Sequence, residues 1–213
     1  MHIRNVLVVA AVLALATGCE DPNKDKARAT VTSAAPAASG GAAAGGEKVE
    51  FDPATGSSLQ FVGHKVTGKH DGKFEKWKGS ATLVHGKIEG GKVTVDVDMT
   101  SEKTDDGELD GHLKTKDFFD VEKFPTAKFE ATEITAGGEK GATDTLSGTL
   151  ELHGVKKNIK FPATVTISDK EITAKSDFVI NRQDFGIAYP GKADDLIKDE
   201  VELKLDLKAP RKK

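Results

Sequence analysis

Between Lys92 and Thr100 apolar and polar side chains alternate without a break. Val93, Val95, Val97 and Met99 share one face, and Thr94, Asp96, Asp98 and Thr100 share the other. A period of two is the mark of a strand with one buried face. The same rule predicts six further strands, whose inward sets are Trp77, Gly79, Ala81 and Leu83; Ala127, Phe129 and Ala131; Leu146, Gly148, Leu150 and Leu152; Ile159, Phe161, Ala163, Val165 and Ile167; Ile172, Ala174, Ser176, Phe178 and Ile180; and Val201, Leu203, Leu205 and Leu207. With Leu59, Phe61 and Gly63 the count is eight. Gly90-Gly91, Gly137-Gly138 and Ser168-Asp169 read as the turns between them. One wet and one dry face on every strand is what an antiparallel sheet closed on itself presents. The expected fold is therefore all-β, an eight-stranded up-and-down barrel, with a two-sheet sandwich as the competing architecture. Pro162 has no backbone N–H, so the ladder is expected to be interrupted there.

Two connections are long, 101–126 and 181–199. The first predicts a short helix from about Glu108 to Phe118, capped by Asp105 or Asp106, with Leu109 and Leu113 on its apolar side. In a meander both connections emerge at one end, together with a loop at Val66 to Asp71 and a turn at His153 to Lys156. That end is expected to be the mouth, with the helix and Phe118-Phe119 folded over it. Gly79, Ala81, Ala131, Gly148, Ala163, Ala174 and Ser176 are small and point inward. Eight strands are the size at which side chains either fill a barrel or leave room for one slender ligand. These small positions predict room; a taper filled by alternating small and large residues is the plainer alternative.

Composition narrows the picture. The chain has 213 residues, yet all ten Phe, Trp77 and Tyr189 lie between Phe51 and Tyr189. The folded part is read as one domain, 48–213. The net charge of −3 becomes −4 once residues 1–18, whose only charged side chain is Arg4, are removed. A weakly acidic protein is a poor nucleic-acid ligand, since that interaction rests on a basic patch.

At the N-terminus, Arg4 precedes an apolar run from Val6 to Ala16, too short to span a bilayer and right for an export signal. Leu15-Ala16-Thr17-Gly18-Cys19 resembles the lipobox of bacterial lipoproteins, with Ala16 where Leu is usual. The resemblance implies a signal peptide over 1–18 and an acylated Cys19, the only cysteine. Residues 19–47 then read as a flexible Ala/Gly-rich tether with a typical reach of roughly 30 Å, long enough for the domain to stand clear of its membrane.

Several runs, in order, resemble the YceI-like family of periplasmic polyisoprenoid-binding proteins. They are Asp110-Gly-His-Leu-Lys-Thr-Lys-Asp-Phe-Phe-Asp-Val-Glu-Lys-Phe-Pro125, Gly148-Thr-Leu-Glu-Leu-His-Gly-Val-Lys156, Asn181-Arg-Gln-Asp-Phe-Gly-Ile187 and Lys198-Asp-Glu-Val-Glu-Leu203. Asp52-Pro53-Ala54 and Gly72-Lys73-Phe74 also match, and the resemblance covers about 49–208. Departures fall at Gly56-Ser57-Ser58 and at Phe61-Val-Gly-His64, where members carry His-Ser and a His one position later. The resemblance implies a lipocalin-like barrel around an apolar tunnel for an isoprenoid chain, with no known catalytic activity.

On this reading the tunnel and its lid comprise Phe61, Trp77, Val95, Val97, Phe118, Phe119, Phe129, Leu150, Phe161, Phe178, Leu203 and Leu205. His112, Arg182, Asp184 and Tyr189 are candidates for the rim or a head-group contact, Arg182 and Asp184 reading first as a loop-fixing ion pair or backbone cap. His70, His112 and His153 map to the mouth without the spacing of a metal site, whereas His85 maps to the far end and His64 to the opposite face. No phosphate loop, nucleophile elbow or Cys–His pair is present. The expectation is an exported, lipid-anchored protein of the periplasm or cell envelope that binds a long isoprenoid or similar lipid. It would carry no cofactor and no metal and would not be an enzyme. An enzyme acting on such a lipid and a filled scaffold barrel are the alternatives.

Overall fold

The computed structural model describes residues 21–34 and 46–211. The export signal and Cys19 lie outside the described residues. In chain order the strands are β1 (Ala27–Arg28), β2 (Thr30–Ser33), β3 (Glu47–Phe51), β4 (Ser58–Lys65), β5 (Gly68–Phe74), β6 (Trp77–Val84), β7 (Lys87–Asp98), β8 (Glu102–Thr104), β9 (Thr126–Ala136), β10 (Asp144–Leu152), β11 (Val155–Ile167), β12 (Glu171–Asn181), β13 (Gly191–Lys192) and β14 (Asp195–Pro210). The helix α1 (Gly107–Leu113) stands between β8 and β9.

The alternating segments pair as a meander, β7-β9-β10-β11-β12-β14-β4-β5, antiparallel throughout. One bent hairpin completes the circuit. β5 turns at Glu75-Lys76 into β6, and β7 turns at Met99–Ser101 into β8, so β5·β8 and β6·β7 are two halves of the same hairpin. Backbone bonds from Glu75 N to Ser101 O (3.1 Å) and from Asp98 N to Lys76 O (3.0 Å) hold the corner. Counting each bent strand once leaves eight strand directions, the all-β barrel that the alternation predicts. β3 lies outside that meander, on the free side of β6.

Some local expectations are corrected. The loop read at Val66 to Asp71 is only Val66-Thr67; the rest is β5, whose charged Lys69, Asp71 and Lys73 face outward. Gly90-Gly91 is not a turn but lies inside β7, opposite the irregularity at Thr82 to Val84. A Cβ on Gly91 would fall 2.0 Å from Thr82 O. The turn is His85-Gly86, both at positive φ (51° and 77°), the geometry of a two-residue hairpin loop. The helix stops at Leu113 instead of Phe118, because Thr115 N and Oγ1 both close back on His112 O. Its cap is Asp106, which accepts from the Glu108 and Leu109 amides.

The largest correction concerns the tether. Residues 21–34 are built into the wall. Pro162 turns its C=O toward β12, where Ser176 Oγ donates to it at 2.6 Å. Its missing N–H faces the same way, so the β11–β12 ladder ends at Thr164↔Lys175. In the gap beyond, Thr30–Ser33 pairs with Lys157–Lys160 of β11, and Ala27–Arg28 runs parallel to Phe178–Val179 of β12. Ala27, Ala29 and Val31 face the interior and pack on its apolar cluster. Residues 19–20 and 35–45 of the tether lie outside the described residues, and Glu47, read as its last residue, already opens β3.

Candidate lipid-binding site

Half of the barrel is filled. Phe51, Trp77, Ala81, Leu83, Ile134, Leu146, Ala163 and Ile172 are buried at and beside the far end. Gly79 and Gly148, two of the small inward residues, do not mark empty space. A Cβ on Gly79 would meet the Phe51 ring at 2.1 Å, and one on Gly148 would meet Glu130 O at 2.5 Å and the Phe129 ring at 2.6 Å. Trp77 is likewise no part of the tunnel lining; it packs edge-on against Phe51 with ring centroids 6.2 Å apart.

The other half is open. An apolar cavity of about 220 Å³ lies toward the mouth. Its wall includes the inward strand residues Phe61, Val95, Val97, Phe129, Leu150, Phe161, Phe178, Leu203 and Leu205, and Phe118 and Phe119 from the connection after α1. Leu59 and Met99, inward by parity but left out of the expected lining, also line it, as do Phe74, Ile187 and Ile197, which lie outside the strands that the alternation predicts. Phe74 stands in a motif that resembled the family, but its strand was read as a loop. β14 shows the inversion most plainly. The inward Val201, Leu203 and Leu205 are only half-buried, whereas the outward Glu202 is 5% exposed beneath the N-terminal segment. Those leucines face space that no protein atom fills.

Aromatic rings form the lid. Phe61, Phe74 and Phe119 meet with centroids 5.5 to 6.3 Å apart. Above them Phe118, His112 and Tyr189 form a second cluster at 4.9 to 5.3 Å. Here the cavity meets a wider vestibule of about 390 Å³, with Phe61, Leu113, Phe118 and Ile197 in both walls. The vestibule is polar at its rim. His112 pairs with Asp117 (3.2 Å), His70 with Asp105 (3.0 Å) and Lys65 with Asp195 (2.9 Å). The Lys65 ammonium holds the Asp195 carboxyl below its ordinary range, and His70 does the same for Asp105. His64, expected to stand apart, also lines the vestibule; burial lowers its pKa and its Nε2 has no partner. His153 sits behind the wall, its Nδ1 3.1 Å from Phe185 O. Among the described residues no group of three or more His, Cys, Asp or Glu is placed to hold a metal ion.

Of the rim candidates, the structure brings His112 and Tyr189 together at the vestibule; Asp184 is not in its wall. Arg182 borders the cavity from below the rim, and its guanidinium is spent on the chain. It donates to Ile187 O (2.8 Å), Lys198 O (3.2 Å), Ile197 O (3.4 Å) and Asp199 Oδ1 (3.0 Å). Its acidic partner is thus Asp199, not Asp184.

Asp110 fastens the lid helix to the barrel. It accepts from Lys103 Nζ and from Thr104 N and Oγ1 (2.7 Å each), donors that hold its pKa down to about 2 from 3.8. A lowered carboxyl contributes stability that is present above about pH 4 and lost as pH falls through about 2. The wild type is therefore expected to lose more stability than Asp110→Asn between pH 4 and pH 2 in denaturant titrations. Parallel curves would refute the clamp.

Fold and site together define a lipocalin-like barrel with a dry cavity opening through a polar vestibule. The chain belongs to the YceI-like domain family, whose model matches residues 50–209. A UPF0312 protein of Pseudomonas fluorescens is 35% identical over 140 residues, 62% of this chain and 71% of the relative. One from Pseudomonas savastanoi is 37% identical over 126 residues, 56% of this chain and 65% of the relative. The chain thus spans about two thirds of the length of such relatives. Among solved structures, BcnA of Burkholderia cenocepacia superposes with a TM-score of 0.66 at 23% identity, covering 75% of this chain and 99% of that one. A polyisoprenoid-binding domain from Saccharophagus degradans gives 0.60 at 19% identity, covering 78% and 99%.

Proposed function

We propose that the protein binds one long, slender apolar ligand, an isoprenoid or similar lipid, with its chain in the cavity and its polar end in the vestibule. The observation that carries this reading is the half-exposed apolar wall inside the barrel beside a filled far end. Each methylene taken from water contributes about 0.8 kcal/mol, so ten give on the order of 8 kcal/mol before the cost of ordering the chain. Affinity then comes from chain length, and the paired rim charges fix only orientation. The polyisoprenoid-binding domain among the structural relatives supports this ligand class. The role is carriage or storage, in which Arg182, the buried cation at the cavity, serves the chain's own carbonyls and not a ligand. Extraction of the purified protein with organic solvent, followed by mass spectrometry, is expected to release a long-chain lipid near one per chain. Repeated preparations without lipid would sink the reading.

The same proposal places the protein in the cell envelope of a bacterium, anchored through acylated Cys19. Cys19→Ser is expected to move it from the membrane to the soluble fraction. A wild type that is soluble and carries no acyl mass would refute the anchor.

A further inference from the structure

The docked N-terminal segment changes what an anchor at Cys19 can do. Asp21 and Arg28 pair at 2.8 Å, Arg28 reaches Glu200 at 2.8 Å, and Asn23 Nδ2 donates to the same carboxylate at 3.4 Å. Lys26 bridges Asp177 and Glu202. Asp21 is thereby held on the outer wall level with Glu200, only two residues after Cys19. Two residues reach at most about 7 Å. Along β14, Glu200 lies four residues, about 13 Å, from Leu196 at the mouth rim, but ten residues, about 33 Å, from Pro210 at the far end. With the segment docked, Cys19 is confined to the mouth half of the wall, since a reach of about 7 Å brings it at best to about 6 Å from the level of the rim and never nearer than about 26 Å to the far end.

The mouth rim is apolar where it projects. Val66 and Leu196 are 66% and 48% exposed, the exposed large hydrophobic side chains among the described residues. They sit side by side, Val66 N donating to Leu196 O at 3.0 Å. Single exposed hydrophobics need no explanation. These two are adjacent, Val66 in the β4–β5 turn and Leu196 at the start of β14 opposite Gly191, and their chain neighbours Lys65, Asp195 and Ile197 line the vestibule. The neighbouring Lys65 and Asp195 neutralise each other, so this part of the rim carries no strong charge of either sign.

We infer that the mouth rim at Val66 and Leu196 is a membrane-docking surface, held against the bilayer that carries the Cys19 acyl chains by the docked 21–34 segment. The domain lies mouth-down on its membrane instead of standing clear on a long tether. An apolar ligand then passes between bilayer and cavity without crossing water. This rests on the anchored, lipid-binding reading above.

The test uses full-length acylated protein in zwitterionic phosphatidylcholine vesicles, with and without brominated chains. Tryptophan is introduced as Val66→Trp, Leu196→Trp or, at the far end, Lys170→Trp, with Trp77 as the common background. All three sites are exposed, so folding is preserved. Bromine is expected to quench the new indole at least twofold in the two rim variants and to leave the Lys170→Trp signal unchanged. Lys26→Glu with Arg28→Glu, which breaks the latch, is expected to keep the protein on the vesicles while at least halving rim quenching. Quenching that persists in full would overturn the role of the docked segment. Vesicle-bound, acylated protein without rim quenching would overturn the docking surface and leave the anchor standing. Protein with no acyl mass that does not bind vesicles would overturn both.

Discussion

Val95→Phe combined with Leu150→Phe is expected to lower co-purified lipid at least tenfold while leaving the lipid-free protein about as stable as the wild type. The two positions flank Phe129 in one row across β7, β9 and β10, on the cavity wall, and both keep residual exposure inside the barrel. Added ring atoms enter open volume, so the contacts they gain offset the small rotamer cost. In a core already packed to native density the same change would overfill it, at about 1 to 3 kcal/mol for each site. The small inward residues are the wrong place for this experiment. At Gly148 even a methyl group collides with the Glu130 carbonyl and the Phe129 ring, so loss of stability there would say nothing about the cavity. Thermal midpoints of delipidated protein and lipid content by mass spectrometry are measured together. A large fall in stability with no lipid in the parent would identify a filled structural barrel.

The contrast between Val95 and Gly148 shows what the chain pattern can convey. Alternation states which side of a strand a residue faces, and the residues it turns inward include Val95, Val97, Phe129, Leu150, Phe161, Phe178, Leu203 and Leu205 of the cavity wall. It carries no information on whether an inward residue touches a neighbour or a void, because that depends on partners several strands away. Hence Trp77, inward by alternation, packs on Phe51 and not on the cavity, and the inward Gly79 and Gly148 face aromatic rings and not space. β5 was missed for another reason. Lys69, Asp71 and Lys73 alternate with His70, Gly72 and Phe74, which is a strand period, but so much charge and so little apolar area resemble a loop. The wall segment at 27–33 offers only Ala27, Ala29 and Val31 as an apolar face, inside an Ala-, Ser- and Gly-rich stretch. Its strand conformation comes from the edges that Pro162 leaves unpaired on β11 and β12, so tertiary context decides it. Pro162 was legible as an interruption; what fills the interruption was not.

Arg182→Ala is expected to be the most destabilising single change at the mouth, by about 3 to 5 kcal/mol, a fall in thermal midpoint of about 10 °C for a domain of this size. The side chain is 5% exposed, and burial lowers its pKa, yet it stays charged because the ordinary value is so high. Its planar fork gathers three carbonyls from two separate segments, Ile187 after the Arg182–Phe185 turn, and Ile197 and Lys198 at the start of β14. Removing it leaves those oxygens with no donor in a region where Ile187 is itself buried. The ion pair with Asp199 contributes far less, since that carboxylate is 45% exposed and well screened by solvent. Asp199→Asn is therefore expected to cost under about 1 kcal/mol, and Arg182→Lys, which keeps the charge but not the fork, to behave much more like Arg182→Ala. Because Ile187 and Ile197 line the cavity, lipid retention should fall along with stability in both Arg182 variants but not in Asp199→Asn. If Asp199→Asn were as costly as Arg182→Ala, the clamp would be an ion pair and the carbonyl cage incidental.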